Sequence, residues 1–377
     1  MKKLFLLAGE ISGDTHGSGL MRALKEGTEE ISFLGYGGMQ MKREGGDLVI
    51  DWVEEAGVVG LWEVLKMYGW FKRKMDEALD TVREQSPDAV VLIDYPGFNL
   101  RFADALRQQG YQKPILYYIS PQVWAWKKGR VKTMAKLLNL MICIFPFEKT
   151  LYEKSGLPTV FAGHPMVDRV HSLKKDIRRE SDLVGFFPGS RKNEVKRLVP
   201  VMLEASKRIA AEEPNTRFVM SAANEKLAVL MREMMQERGM PEAAAWIEVG
   251  TVYDLMQRVQ VGAVASGTAT LEAACFGLPY ALVYKVNGFT YVVGKALVNI
   301  KYLGIINILA GREVVRELVQ GDCTAEKVSR QLLSLLGEGS VRNTLVADLA
   351  DTVALLGEGG AYEKAARAVM QACEPVA

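Results

Sequence analysis

Short apolar runs alternate with longer amphipathic stretches along almost the whole chain. In the first 166 residues the apolar runs are Lys3–Leu7, Ile31–Leu34, Ala89–Ile93, Pro114–Tyr118, Met141–Phe145 and Thr159–Phe161. Stretches with a helical period separate most of them, such as Ser18–Lys25, Asn99–Gln109 and Val131–Leu138. Unbroken apolar runs of this length read as strands covered on both faces, and helices between them imply parallel pairing. Residues 167–182 break the pattern. They are charged (Lys174-Lys175-Asp176, Arg178-Arg179-Glu180), show no apolar stripe and read as an interdomain linker. The alternation then restarts with strands at Leu183–Phe187, Arg217–Ser221, Trp246–Val249, Val261–Ala265 and Tyr280–Tyr284. Helices are expected between them at Glu194–Ala211, Leu227–Arg238, Val252–Arg258 and Ala269–Phe276, and from Thr324 onward the chain is all helical. The pattern predicts two tandem, doubly wound, Rossmann-like α/β domains, 1–166 and 183–340. A helical tail over 341–377 either packs back on the first domain or exchanges between subunits, which leaves a homo-oligomer open.

Composition narrows the class. Hydrophobic residues make up 49% of the 377 and charged residues 24%, in the range of a globular enzyme with ample core. The net charge is +2 with no basic arm, so nothing points to nucleic acid. The four cysteines are far apart with no C-x-x-C pair, against a zinc ribbon or dithiol site and in keeping with a reducing cytosol. The N-terminal run Met1–Gly9 is too short for a signal peptide and reads as the first buried strand. No apolar stretch is long enough to span a bilayer.

In doubly wound sheets ligands bind beyond the carboxyl ends of the strands, so the loops there carry the candidate chemistry. After Val261–Ala265 comes Ser266-Gly267-Thr268, where a helix begins. Ser266 or Thr268 can cap it, and an anion can sit at the N–H groups of its first turn. Glu272 falls on the same face one turn further in, where a carboxylate could accept from two neighbouring hydroxyls. Phosphate donors and a diol acceptor one turn apart suit a nucleoside diphosphate; an ordinary strand–cap–helix unit would look the same. Gly189-Ser190-Arg191 repeats the arrangement, with Ser190 a cap and Arg191 a cation for a diphosphate or merely a solvated helix start. Asn307 and Arg312, in Asn307–Glu313, could line the same crevice.

The first domain offers Gly9–Gly19, with Glu10, Ser12, Gly13 and Asp14 as a ligand loop or a simple turn in which Asp14 caps the following helix. The spacing departs from G-x-G-x-x-G, which disfavours a dinucleotide. Asp94 ends a strand and stands where a general base would, or fixes a Pro-Gly turn. Gln122, Trp124, Trp126 and Lys127 form a surface for a sugar or acyl group, or close the core. His16 and His164 could serve acid–base roles, but no histidine has metal-ligand spacing. Residues 58–74 mix aromatics with Lys66, Lys72, Arg73 and Lys74. With Trp62, Leu65, Trp70 and Phe71 they make an interfacial membrane helix or a core helix with a cationic rim.

Taken in order, eight motifs resemble lipid-A-disaccharide synthase, an inverting glycosyltransferase of the two-Rossmann-domain (GT-B) class. They are Ala8–Asp14, Ile93–Asn99, Ser120–Trp126, Phe145–Glu148, Gly163–Met166, Pro188–Arg191, Ala265–Glu272 and Asn307–Glu313. The resemblance implies transfer from UDP-2,3-diacylglucosamine to the 6-hydroxyl of 2,3-diacylglucosamine 1-phosphate (lipid X), giving a β-1,6 disaccharide phosphate and UDP in lipid A biosynthesis. It implies a cytoplasmic enzyme that touches the inner face of the cytoplasmic membrane, and it favours the aromatic–basic segment as the contact. Asp94 is expected as the base, with Arg191 and the Ser266-Gly267-Thr268 turn at the diphosphate, Glu272 at the ribose, and no metal or other cofactor. The chain departs from the family at Gly97, where a second Asp is frequent, so Asp94 is the sole acid of its loop. Two alternatives stay open. One is another UDP-GlcNAc-type enzyme of this architecture, such as a 2-epimerase or the lipid II-forming transferase. The other is a non-catalytic, membrane-associated nucleotide-binding module.

Overall fold

The computed structural model describes residues 1–27, 30–56, 68–122, 129–287 and 300–374. These form two compact units, Met1–Pro165 with Leu356–Ala377, and Met166–Leu355.

The first unit is built on a parallel sheet of β1 (Lys2–Ala8), β2 (Ile31–Gly37), β3 (Val49–Asp51), β4 (Ala89–Ile93), β5 (Ile115–Tyr118), β6 (Leu140–Cys143) and β7 (Thr159–Phe161). The strand order is β3-β2-β1-β4-β5-β6-β7. β1 and β4 lie at its centre, and Leu4–Ala8 and Ala89–Ile93 are buried, as unbroken apolar runs require. The helix Ile11–Gly27 follows β1, and the C-terminal helix Ala361–Ala372 packs on it. The His16 Nδ1 lies 3.1 Å from the Tyr362 hydroxyl, and the Lys2 ammonium donates to the Cys373 carbonyl at 3.0 Å.

The second unit repeats the plan with β8 (Glu180–Phe187), β9 (Arg217–Ala222), β10 (Ile247–Val249), β11 (Val259–Ala265), β12 (Tyr280–Tyr284) and β13 (Glu317–Val319). The order is β10-β9-β8-β11-β12-β13, again parallel. Every residue of β11 is buried.

Two boundaries differ from the sequence expectation. The segment 167–182 is not an open linker. Helix Pro165–Leu173 occupies its first half, with Met166, Val167 and Val170 buried at helical spacing, and β8 already begins at Glu180. The charged run hides a core arginine: the Arg179 guanidinium donates to the carbonyls of Met256, Val259 and Phe276 at 2.7–2.8 Å. The tail also divides, because helix Ser340–Ala354 belongs to the second unit and the chain from Leu356 to the first. β3 and β13 were not anticipated; each is three residues long at a sheet edge.

Candidate functional site

In each unit the strand order reverses at one place, between β1 and β4 and between β8 and β11. Successive helices there leave toward opposite faces, which opens a crevice at the carboxyl ends of the two strands. The candidate residues gather at these two reversals.

In the first unit Asp94 follows β4 directly and Glu10 follows β1. Asp94 and Tyr95 are both left-handed, with φ of +47° and +49°. Two consecutive non-glycine residues in that region cost on the order of 1–3 kcal/mol each, a strain that concentrates at functional sites. Burial raises the Asp94 carboxyl from its usual range to about 6, and the charge of Glu10 adds to this, against a hydrogen bond from the Tyr95 backbone. A carboxylate poised near 6 suits a general base at neutral pH. Gly9 makes room for the kink: a Cβ there would stand 2.2 Å from the Tyr95 ring. Gly97 is exposed, with nothing within 4 Å of where its Cβ would be, so packing does not exclude a second Asp at that position.

The other residues expected in this unit fare differently. Glu10 is exposed at the end of β1. Ser12, Gly13 and Asp14 are not in a loop, because the helix starts at Ile11. Asp14 is buried, and it caps not its own helix but the neighbouring Met39–Gly45. Its carboxylate accepts from the N–H groups of Gly38 and Met41 at 2.8 Å and of Gln40 at 3.1 Å. With three donors engaged it acts as structure rather than as a free ligand group. Gln122 is exposed, and Trp124 lies outside the described residues. Trp70 and Phe71, expected as membrane contacts, are partly buried and pack against the core of the first unit. The Trp70 ring stacks on Trp52 at 5.6 Å, its indole N–H donates to Glu55, and Phe71 packs edge-on against Trp70 and near Phe98. Trp62 and Leu65 lie outside the described residues.

In the second unit Gly189-Ser190-Arg191 follows β8 and Ser266-Gly267-Thr268 follows β11, on neighbouring strands. Gly267, not Ser266 or Thr268, is the N-cap of helix Thr268–Cys275, and no side chain caps that helix. Its φ of +142° admits little but glycine, and nothing lies within 4 Å of where its Cβ would be, so a ligand can reach the backbone. Ser190 likewise does not cap; Arg191 holds that position for helix Lys192–Glu212. The Arg191 side chain is 83% exposed and pairs with Glu194 at 3.0 Å, a weak surface pair that an incoming phosphate can displace. The start of helix Thr268–Cys275 has no side-chain cap and no acidic residue in its first turn, which favours an anion, whereas the first turn of helix Lys192–Glu212 carries the Glu194 carboxylate that pairs with Arg191.

Glu272 is buried one turn inside helix Thr268–Cys275. One carboxylate oxygen accepts the Tyr253 hydroxyl at 2.8 Å, and no other described group hydrogen-bonds the carboxylate. Burial raises its pKa, tempered by Tyr253 and by the charge of Arg169. The Arg169 guanidinium lies 5.1 Å above the Tyr253 ring. Sequence reading missed Tyr253 and Arg169, and no local motif marks either.

Asn307 is corrected outright. Its amide nitrogen donates to the Val315 carbonyl and Glu317, and its oxygen accepts from the N–H groups of Val314 and Val315, at 2.7–2.9 Å. The amide is saturated and latches β13 in place, with nothing left for a ligand. Arg312 pairs with Asp348 of helix Ser340–Ala354 at 2.7 Å.

Comparison with known proteins fits this geometry to a family. Residues 4–372 match the family model described as lipid-A-disaccharide synthetase. The chain belongs to the lipid-A-disaccharide synthase family. It is 37% identical over 377 residues to the synthase of Geobacter sulfurreducens, covering 98% of this chain and 97% of that one. Identity to the Persephonella marina synthase is 35%, with 97% and 98% covered. Family membership makes it a glycosyltransferase that uses a UDP-sugar. Among solved structures, S. aureus MnaA with UDP superposes with a TM-score of 0.63 at 13% identity, covering 96% of this chain and 94% of that one. Acinetobacter baumannii MurG gives 0.60 at 12%, covering 98% and 100%. These likenesses are of fold, the two-domain GT-B architecture. The family match over nearly the whole chain favours the synthase over the epimerase and the non-catalytic module.

Proposed function

We propose that the chain moves 2,3-diacylglucosamine from UDP-2,3-diacylglucosamine to the 6-hydroxyl of lipid X by in-line displacement. The observation that carries the reading is the family match over residues 4–372, and the strained, half-buried Asp94 agrees with it. Asp94 takes the proton of the acceptor hydroxyl as its oxygen attacks the anomeric carbon. The bond from that carbon to the diphosphate breaks on the opposite face, and its electron pair leaves with UDP. Arg191 and the first-turn N–H groups beside Ser266, Gly267 and Thr268 neutralise the developing charge. Glu272 accepts the ribose hydroxyls through the carboxylate oxygen that Tyr253 leaves unused. The first unit thus serves the acceptor and the second the donor.

The acylated substrates are met at the inner face of the cytoplasmic membrane. No helix among the described residues is long and apolar enough to cross a membrane. The contact is carried by residues 58–67 by sequence, with exposed Tyr68, Lys72 and Arg73 and the partly buried Trp70 and Phe71 beside them.

Incubation with UDP-diacylglucosamine and lipid X, followed by mass analysis, tests the reaction. A β-1,6 disaccharide phosphate plus UDP is expected. Recovery of free sugar or a 2-epimer alone would reject it.

A further inference from the structure

The carbonyl of Asp94 ends β4 and would, in a longer strand, continue the ladder to β5. The chain turns away instead, and side chains take over. The Asn99 amide donates to this carbonyl at 2.7 Å, and to the Ile93 and Leu7 carbonyls at 3.2 and 3.4 Å. The Tyr117 hydroxyl donates to the same Asp94 oxygen at 2.5 Å. Tyr117 stands on β5 opposite Leu92, and its ring is wholly buried in the core of the first unit. Asn99 is also wholly buried, one turn into helix Pro96–Gln108, and its side-chain oxygen has no partner among the described residues. A buried amide that leaves its acceptor unpaired while its donors face the carbonyls of Leu7, Ile93 and Asp94 is costly, and its shortest bond is the one to the kink.

We propose that Asn99 and Tyr117 are positioning residues of the transfer reaction. They clamp the Asp94 carbonyl so that two consecutive left-handed residues persist and the Asp94 carboxylate stays at the acceptor hydroxyl. Neither touches substrate. Both act through the backbone of the base, so the inference rests on Asp94 being that base. Glu10 from β1's end and the buried Tyr117 phenol are the ionisable groups that face the carboxylate, and the Tyr95 N–H is its hydrogen-bond donor. Relaxing the kink changes its distance from both and its burial. A misplacement of about 1 Å at a reacting group costs on the order of a hundredfold in rate.

The test compares Asp94→Asn, Tyr117→Phe, Asn99→Leu and the core control Leu106→Ala in steady-state transfer over pH 5–9. Leu106 is buried in the same core, two turns further along the helix than Asn99. Tyr117→Phe and Asn99→Leu should each lower kcat about tenfold or more with both KM values within about twofold. The acid limb of kcat/KM should move down from about 6 toward the ordinary carboxylate range. Leu106→Ala should lose thermal stability while keeping the limb in place. If Asp94→Asn is inactive but both clamp variants keep kcat within about twofold and an unmoved limb, the clamp is refuted and the base stands. If Asp94→Asn turns over normally, the base assignment fails and takes the clamp with it.

Discussion

The two units share a strand order and place their chemistry at the same topological point, yet they furnish it in opposite ways. At the β1/β4 reversal the protein invests strain and burial. Asp94 sits in a left-handed kink, largely removed from water, with Glu10 as its charged neighbour. At the β8/β11 reversal it leaves groups open. Gly267 and Thr268 are exposed, their helix start is uncapped, and Arg191 is held by one surface pair. In the proposed reaction the perturbed carboxyl of Asp94 suits proton transfer at neutral pH. The leaving diphosphate would there meet donors that the fold leaves uncapped at Gly267 or only weakly paired at Arg191. Glu272 stands between the two cases, being buried where Asp94 is half-buried, but with part of its carboxylate unclaimed by the described residues.

The largest break in this comparison is Asp94→Asn. Turnover should fall by about 10²–10⁴-fold while UDP affinity, which the proposed reaction assigns to the other unit, stays unchanged by calorimetry. In the parent enzyme kcat/KM should drop about tenfold per pH unit below about 6, as Asp94 takes up its proton. The same variant should stabilise the fold. A carboxyl raised from 3.8 to about 6 favours the folded state only while protonated. Its contribution is full below the unfolded pKa and is lost as pH rises through about 6. At pH 8 the amide should therefore raise Tm, by a free energy of about 3 kcal/mol at most. A lower Tm at pH 8 would contradict the strained-base picture.

Next in size, Glu272→Ala should weaken UDP about 10- to 100-fold, the range for hydrogen bonds to a charged group. Equal affinity for UDP in parent and variant would remove Glu272 from the ribose. Asn307→Ala should cost about 1–3 kcal/mol in denaturant unfolding by leaving the Val314 and Val315 N–H groups unpaired, with UDP affinity intact. A selective loss of UDP binding would return it to the site. Tyr253→Phe should weaken UDP only about threefold to tenfold, since it releases one bond that orients Glu272. Smallest is Arg312→Ala, an exposed pair whose loss should leave both Tm and UDP affinity within error; a clear drop in affinity would place it at the diphosphate.

Much of the fold was legible in the pattern. The apolar runs over Ala89–Ile93 and Val261–Ala265 are strands, and both candidate turns follow strands as expected. The failures have common causes. The edge strands Val49–Asp51 and Glu317–Val319 each carry an acidic residue in their three positions and so show no apolar run, unlike the equally short Thr159–Phe161. Helix Pro165–Leu173 hid its apolar stripe of Met166, Val167 and Val170 beside a charged run. At the site, local motifs showed residue types but not their partners. Asp14, Asn307 and Trp70 are engaged by groups outside the motifs that marked them: Gly38 and Met41, Val314 and Glu317, Trp52.

The sequence by itself determined the period, and so the α/β alternation, the order of the motifs and the family they spell. It determined which loops hold carboxylates, cations and glycines, because those are properties of residue type and local spacing. Only the tertiary structure decided that β1 and β4, and likewise β8 and β11, are neighbours, since strand order comes from crossovers that no local window records. That adjacency sets Glu10 beside Asp94 and the Gly189–Arg191 turn beside Ser266–Thr268. It also decided which polar groups are spent and which remain free, because a hydrogen bond is claimed by whichever partner the packed fold brings within reach.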